Sequence, residues 1–171
     1  VMFLDAEGLF ETDNIDFRPR YEDIRDDGGS RIYITMTDSL TEHWKYQLRP
    51  PRLGDRIVIG MRQEGVTLLV SGCGNMRFED ISIYASQGFA FFEEGNGDGG
   101  NYYRNCRLIR RPDTGRLLAG AADCFHSLNQ KHGPVIENCE FSWAMDDLTN
   151  IHGFFQVILK KISDNEIIVA A

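Results

Sequence analysis

The chain has 171 residues, 26 of them acidic and 18 basic, for a formal charge of −8. That balance argues against gripping nucleic acid or an anionic membrane through basic patches. Apolar residues make up 42%, ordinary for a folded domain, and no apolar run approaches the roughly 18 residues of a membrane-spanning helix.

Val1-Met2-Phe3-Leu4 lacks the charged region and small-residue cleavage site of a signal peptide. The last residues fall in the strand-like run Glu166-Ile167-Ile168-Val169. Both ends read as cut, so the chain is expected to be an internal piece of a longer protein. Residues 1–64 read as a β-rich N-terminal segment or insertion. A turn is expected at Asp26-Asp27-Gly28-Gly29, a strand over 31–36, a short helix around 40–46, and a Pro/Gly/Asp turn over 49–55 entering a strand at 57–60.

Residues 65–171 differ because they repeat. Phe78-Glu79-Asp80-Ile81-Ser82-Ile83, Tyr103-Arg104-Asn105-Cys106-Arg107-Leu108 and Ile136-Glu137-Asn138-Cys139-Glu140-Phe141 share one apolar and polar template. Ile81 and Cys106 are 25 residues apart, Cys106 and Cys139 33, and the longer interval holds a nine-residue stretch, Pro112 to Gly120, bracketed by proline and glycine. Without it the interval is 24. A period of 24 to 25 with one strand motif each is the pattern of a solenoid. Leucine-rich repeats need a leucine ladder that the chain lacks. The expected fold is therefore all-β, a right-handed parallel β-helix with rungs over 65–171, truncated at the C-terminus.

In such a coil equivalent residues stack roughly 4.8 Å apart. Asp80, Asn105 and Asn138 would form a polar ladder at a turn, and Ile81, Cys106 and Cys139 an interior stack. In-register side chains are poorly placed for a disulfide, so free thiols are expected. The four cysteines form no CxxC pair, which weakens zinc and redox readings. The glycine-rich run over 93–100, which has no lysine, reads as a flexible turn between rungs.

Counting eight positions past each anchor leads from Ile81 to Phe89, from Cys139 to Asp147 and, allowing for the loop, from Cys106 to Asp123. Asp146 lies one step off this stack, His126 stacks on Asn150, and His152 follows two residues later. Stacked like charges repel without structural benefit. Two chemistries supply a reason: glycoside hydrolysis, in which one carboxyl protonates the leaving oxygen while another activates water, and binding of a cation such as Ca²⁺. Turn capping would account for the same aspartates without chemistry.

The stretch from about 72 to 153 resembles the β-helix core of glycoside hydrolase family 110, the inverting exo-acting α-1,3-galactosidases. The resemblance is carried by Asn101-Tyr102-Tyr103-Arg104-Asn105-Cys106-Arg107, Ala122-Asp123 with Phe125-His126, Gly133-Pro134 with Ile136-Glu137-Asn138-Cys139, and Asp146-Asp147 with Asn150-Ile151-His152-Gly153. It implies Asp146 as general acid, with Asp123 and Asp147 holding and deprotonating water. It further implies the terminal α-galactoside of a glycan as partner, with no cofactor and no metal. His126, Asn150, His152 and Trp143 are the candidate substrate-binding residues, Trp143 as a stacking face for sugar or as core. An extracellular or periplasmic location is expected for the full-length protein.

Polygalacturonases also set a lone Asp one rung before an Asp pair, but they add a Gly-His-Gly and an Arg-Ile-Lys absent from this chain. The same aspartates would also suit a calcium-dependent polysaccharide lyase, and the coil by itself a non-catalytic glycan-binding β-helix.

Overall fold

The computed structural model describes residues 2–4, 24–29, 31–34, 53–58, 63–95 and 97–170. They fall in two compact units, Val1–Met61 and Arg62–Ala171. In the first, β1 (Met2–Leu4) pairs antiparallel with β4 (Arg56–Val58), and β2 (Ile24–Asp26) with β3 (Ile32–Ile34). The β2–β3 turn forms where expected. Asp26 Oδ1 accepts from the Gly28 N–H and Asp27 Oδ1 from the Gly29 N–H, and Gly28 takes φ 75°. A turn at Leu53-Gly54 leads into β4. The helix expected at 40–46 lies outside the described residues.

The second unit holds three parallel sheets, and no helix occurs among the described residues. One sheet contains β5 (Val66–Ser71), β8 (Phe89–Glu94), β11 (Phe125–Leu128) and β14 (Asn150–His152). The next contains β6 (Arg77–Glu79), β9 (Tyr102–Arg104) and β12 (Val135–Glu137). The third contains β7 (Ser82–Ile83), β10 (Arg107–Leu108) and β13 (Glu140–Phe141). The chain visits them in a fixed cyclic order, each strand pairing in parallel with the one a circuit earlier. This order is compatible with a β-helix.

Registers fix the circuit length. Arg77 pairs with Tyr102, 25 residues on, and His126 with Asn150, 24 on. Phe92 pairs with His126, 34 residues on. The extra residues lie between Leu108, paired with Ile83, and Gly120, bridged to Ser86. Residues 111–116 there are exposed, with Asp113 and Gly115 at positive φ.

Asp80, Asn105 and Asn138 all adopt left-handed backbone, φ 59°, 54° and 51°. Asn and Asp tolerate this region better than other side-chain-bearing residues, which explains their recurrence at one corner. Asn105 Nδ2 donates to Asp80 Oδ1 at 2.9 Å, and the Asp80 and Asn105 N–H groups donate to Arg104 and Glu137 carbonyls one circuit on. Ile81, Cys106 and Cys139 pack with the core as free thiols beside an aliphatic side chain.

Phe91, Phe125 and Tyr103 are fully buried. The Phe125 ring meets Tyr103 edge-on at 4.9 Å and stacks with Phe141 at 5.7 Å. Burying each such ring contributes about 1.5–3 kcal/mol. Within this core sits a carboxylate. Glu93 is fully buried, and its oxygens accept from Asn101 Nδ2 at 2.8 Å, Tyr103 Oη at 3.1 Å and Ser127 Oγ at 2.6 Å. Burial, followed by the neighbouring Glu93 charge, pushes the Tyr103 phenol well above its ordinary range.

The glycine run after Glu93 departs from the flexible turn expected of it. Gly99 bridges Gly74 on one side and His132 on the other. A Cβ on Gly99 would lie 2.1 Å from the His132 carbonyl oxygen, and one on Gly97 2.5 Å from that of Cys73. These glycines permit close backbone stacking.

The stretch 157–170, expected to continue the parallel rungs, instead forms an antiparallel hairpin of β15 (Val157–Ser163) and β16 (Glu166–Ala170). The two-residue connection Asp164-Asn165 is hairpin chemistry, with side chains suited to a tight reversal.

Candidate active site

Asp123 stands shortly before β11 and is buried at 3% exposure. Its Oδ2 meets His126 Nδ1 at 2.6 Å and accepts from Asn150 Nδ2 at 3.3 Å. His126 is the second residue of β11 and pairs in register with Asn150 of β14. One partner of Asp123 therefore comes from the strand it leads into and the other from the next circuit. The entry to β11 and the 24-residue offset together build this contact.

His126 Nε2 lies 3.1 Å from His152 Nε2, and His152 Nδ1 lies 2.9 Å from the Gly153 carbonyl oxygen. A carbonyl only accepts, so His152 Nδ1 donates to it. The facing Nε2 atoms then need one proton between them, which His126 supplies when neutral His152 presents its lone pair. At the other end, Asp123 and His126 share one further proton. Moving it from nitrogen to oxygen converts a carboxylate and imidazolium into a carboxylic acid and imidazole with no change in total charge. The series Asp123–His126–His152 can thus relocate a proton between a buried carboxyl and a half-buried imidazole.

The aromatic surroundings restrain both rings. The His126 centroid is 4.7 Å from Phe89 and 4.9 Å from Phe92, and the His152 ring stacks with Phe155 at 6.1 Å.

Asp146 and Asp147 lie between β13 and β14 and are exposed. Neither is in a strand, so strand alternation does not force them to opposite faces. The Asp147 N–H donates to Asp146 Oδ1 at 3.1 Å. The Asp147 carbonyl accepts from the Cys124 N–H at 2.9 Å, while the Asp123 carbonyl accepts from the Ala90 N–H at 3.1 Å. Asp123 and Asp147 therefore occupy adjacent circuits, the buried residue beside the exposed pair.

Trp143 is half-buried with φ 61° and packs against the core. The Arg110 guanidinium lies 3.5 Å from its ring centroid, an arrangement that stabilises by cation–π attraction. One of its faces is thus taken by the protein itself.

Sequence reasoning missed Glu93 and the grouping of Phe89 and Phe92 with His126. Parity along β8 carried the signal for the first: Glu93 lies two residues after buried Phe91, on the same side of the strand.

No family model matches the chain, and no solved structure matches it. It is 38% identical over 118 residues to Alpha-1,3-galactosidase A of Bacteroides fragilis strain NCTC 9343, a match covering 66% of this chain and 18% of that protein. A second curated relative, of the same name and from strain YCH46, is 46% identical over 52 residues, or 30% of this chain and 9% of that protein. The chain spans less than a fifth of the length of these relatives. Over that segment it resembles the family of α-1,3-galactosidases.

Proposed function

We propose that the chain carries part of the active site of an exo-acting glycosidase, set on a right-handed parallel β-helix, that removes terminal α-1,3-linked galactose with inversion. The observation that carries this reading is Asp123, buried and held by His126 and Asn150, one circuit from the exposed pair Asp146 and Asp147. The resemblance to proteins named Alpha-1,3-galactosidase A supports the substrate.

Inversion needs two carboxyl groups with different tasks, roughly 6.5–9.5 Å apart so that a water fits between base and sugar. Asp146, off the stack, protonates the departing glycosidic oxygen. Asp147 and Asp123 hold water on the opposite face of the ring and take its proton as oxygen attacks the anomeric carbon. That carbon gains one C–O bond as the other breaks, and the configuration inverts. The proton arriving at Asp123 has an outlet through His126 and His152. An extracellular or periplasmic setting suits an enzyme that trims glycans.

Proton NMR of the first product tests the proposal. β-Galactose should appear first from an α-linked substrate, and chelator should leave the rate unchanged. Asp146→Asn should spare an aryl galactoside with a good leaving group, which needs no protonation, more than a natural disaccharide. Asp123→Asn and Asp147→Asn should slow both, each role contributing about 10²–10⁴ in rate. Initial release of α-galactose would exclude inversion.

A further inference from the structure

Beside the Asp123 network the second unit has an open cavity of about 380 Å³. Its walls come from Gln63, Glu64 and Val66 at the start of the coil and from Gly88, Phe89 and Phe92 one circuit later. We propose that this cavity is the recognition subsite for one neutral hexopyranose, the terminal galactose of the substrate, with Phe89 and Phe92 as its apolar platform and Gln63 and Glu64 as its polar wall. The inference rests on the glycosidase reading and extends it to a binding site and a specificity determinant.

Three observations converge on a single sugar ring. The first is size: small-molecule sites span roughly 300–1,000 Å³, and this one lies at the low end, suited to one ring rather than a chain. The second is surface chemistry. The Phe89 and Phe92 rings sit 4.9 Å apart at a 37° tilt, forming a shallow aromatic concavity. A galactopyranose presents contiguous C–H groups on one face because its 4-hydroxyl is axial, and aromatic rings bury such surface while its hydroxyls stay with polar partners. Gln63 offers donors and an acceptor, and Glu64 two acceptor oxygens.

The third is position. Both rings also contact His126, at 4.7 and 4.9 Å between centroids, and His126 Nδ1 is 2.6 Å from Asp123. A sugar on the platform therefore lies one imidazole away from a carboxyl proposed to activate water.

Charge selects among sugars. Among the described residues lining the cavity Glu64 is the one charged side chain, and the buried ionisable group beyond His126 is another acid, Asp123. A uronate would bring a third carboxylate into this region without a cation, so the site favours galactose over galacturonate.

The cavity has a built constraint. A Cβ on Gly88 would fall 1.9 Å from the Gly65 carbonyl oxygen, a backbone atom of the cavity wall. The Gln63 N–H donates to the Gln87 carbonyl at 3.0 Å, so the 63–66 wall is tied to the 87–89 segment. Gly88→Ala must push these segments apart and distort the wall.

The test measures binding and turnover separately in the full chain. Saturation-transfer NMR should show contact with D-galactose, absent for D-galacturonate. Glu64→Gln, at an exposed position that leaves folding intact, should raise KM for an aryl α-galactoside about tenfold with little change in kcat, and should admit weak galacturonate contact. Phe92→Ala and Gly88→Ala should abolish galactose contact. Turnover and galactose binding unchanged in both Glu64→Gln and Phe92→Ala would overturn the subsite and leave the glycosidase reading standing. Absence of both galactose binding and α-galactoside hydrolysis in the unmodified protein would overturn the two together.

Discussion

The corner ladder makes a sharp prediction about why Asn and Asp recur every circuit. Asn105 sits at φ 54° and donates from Nδ2 to Asp80. Replacing it by alanine removes the bond, worth about 0.5–1.5 kcal/mol, and forces a Cβ-bearing residue without a local hydrogen-bonding group to hold left-handed backbone, costing about 1–2 kcal/mol. Asn105→Ala should therefore destabilise by about 2–3 kcal/mol. Asn105→Gly loses the same bond but accepts positive φ freely, at the expense of greater flexibility when unfolded. The glycine variant should be more stable than the alanine variant by about 1 kcal/mol, which at an m-value near 2 kcal/mol/M shifts the urea midpoint by about 0.5 M. Equilibrium urea unfolding followed by circular dichroism reads the difference. If alanine equals or exceeds glycine, backbone handedness is not what selects Asn at this corner.

Glu93→Ala should be among the most destabilising single changes in the second unit, by about 3 kcal/mol or more, because it leaves Asn101, Tyr103 and Ser127 donors buried without their acceptor. Glu93→Gln should cost much less, since its oxygen keeps part of the network and the Ser127 hydroxyl can turn to accept; thermal unfolding of the two variants decides. Burial, then the nearby Asp123 charge, pushes the Cys124 thiol up to about 12, and burial raises Cys106 as well. A raised thiol value means that the folded state holds its proton longer than the unfolded chain, so this stability is complete below about 9 and is lost as pH climbs toward about 12. Denaturant midpoints should fall across that window and fall less steeply in Cys124→Ala, and an alkylating reagent at pH 8 should label exposed Cys73 while sparing Cys124 and Cys106 until the chain unfolds.

The elements legible in the sequence were those fixed by local rules that recur. Asp80, Asn105 and Asn138 announce left-handed corners because few other residues adopt them, and the Cys106 and Cys139 anchors next to them mark the inward step. Once those corners are aligned, the pairing of His126 with Asn150 follows from counting. What could not be read depended on direction. Glu93 and Glu94 are the same residue type before a glycine run, yet the first is fully buried and the second is half-buried. Composition favours solvent for both, and only strand parity with Phe91 separates them. The glycines at 97 and 99 likewise look flexible locally, while their function is to let backbones from adjacent circuits meet. The hairpin after His152 was hidden for another reason. Its apolar residues suit a strand in either direction, and the short Asp164-Asn165 reversal outweighs any longer-range period.

The placement of the insertion bears on how the site is assembled. The contact between Asp123 and Asn150 depends on the 24-residue offset from β11 to β14, and a slip of one residue would set Ile151 against His126 and turn the amide away. The extra residues lie between 108 and 120, upstream of Asp123, and so lengthen the offset from Phe92 to His126 without touching the one that builds the carboxyl's partners. Chain length in the segment 129–149 is therefore under geometric constraint from the site, whereas length in the exposed stretch 111–116 is limited by loop closure, whose cost grows by only about 0.6 kcal/mol per doubling. The coil thus separates a variable surface from a fixed register, and Asp123 lies on the fixed side of that division.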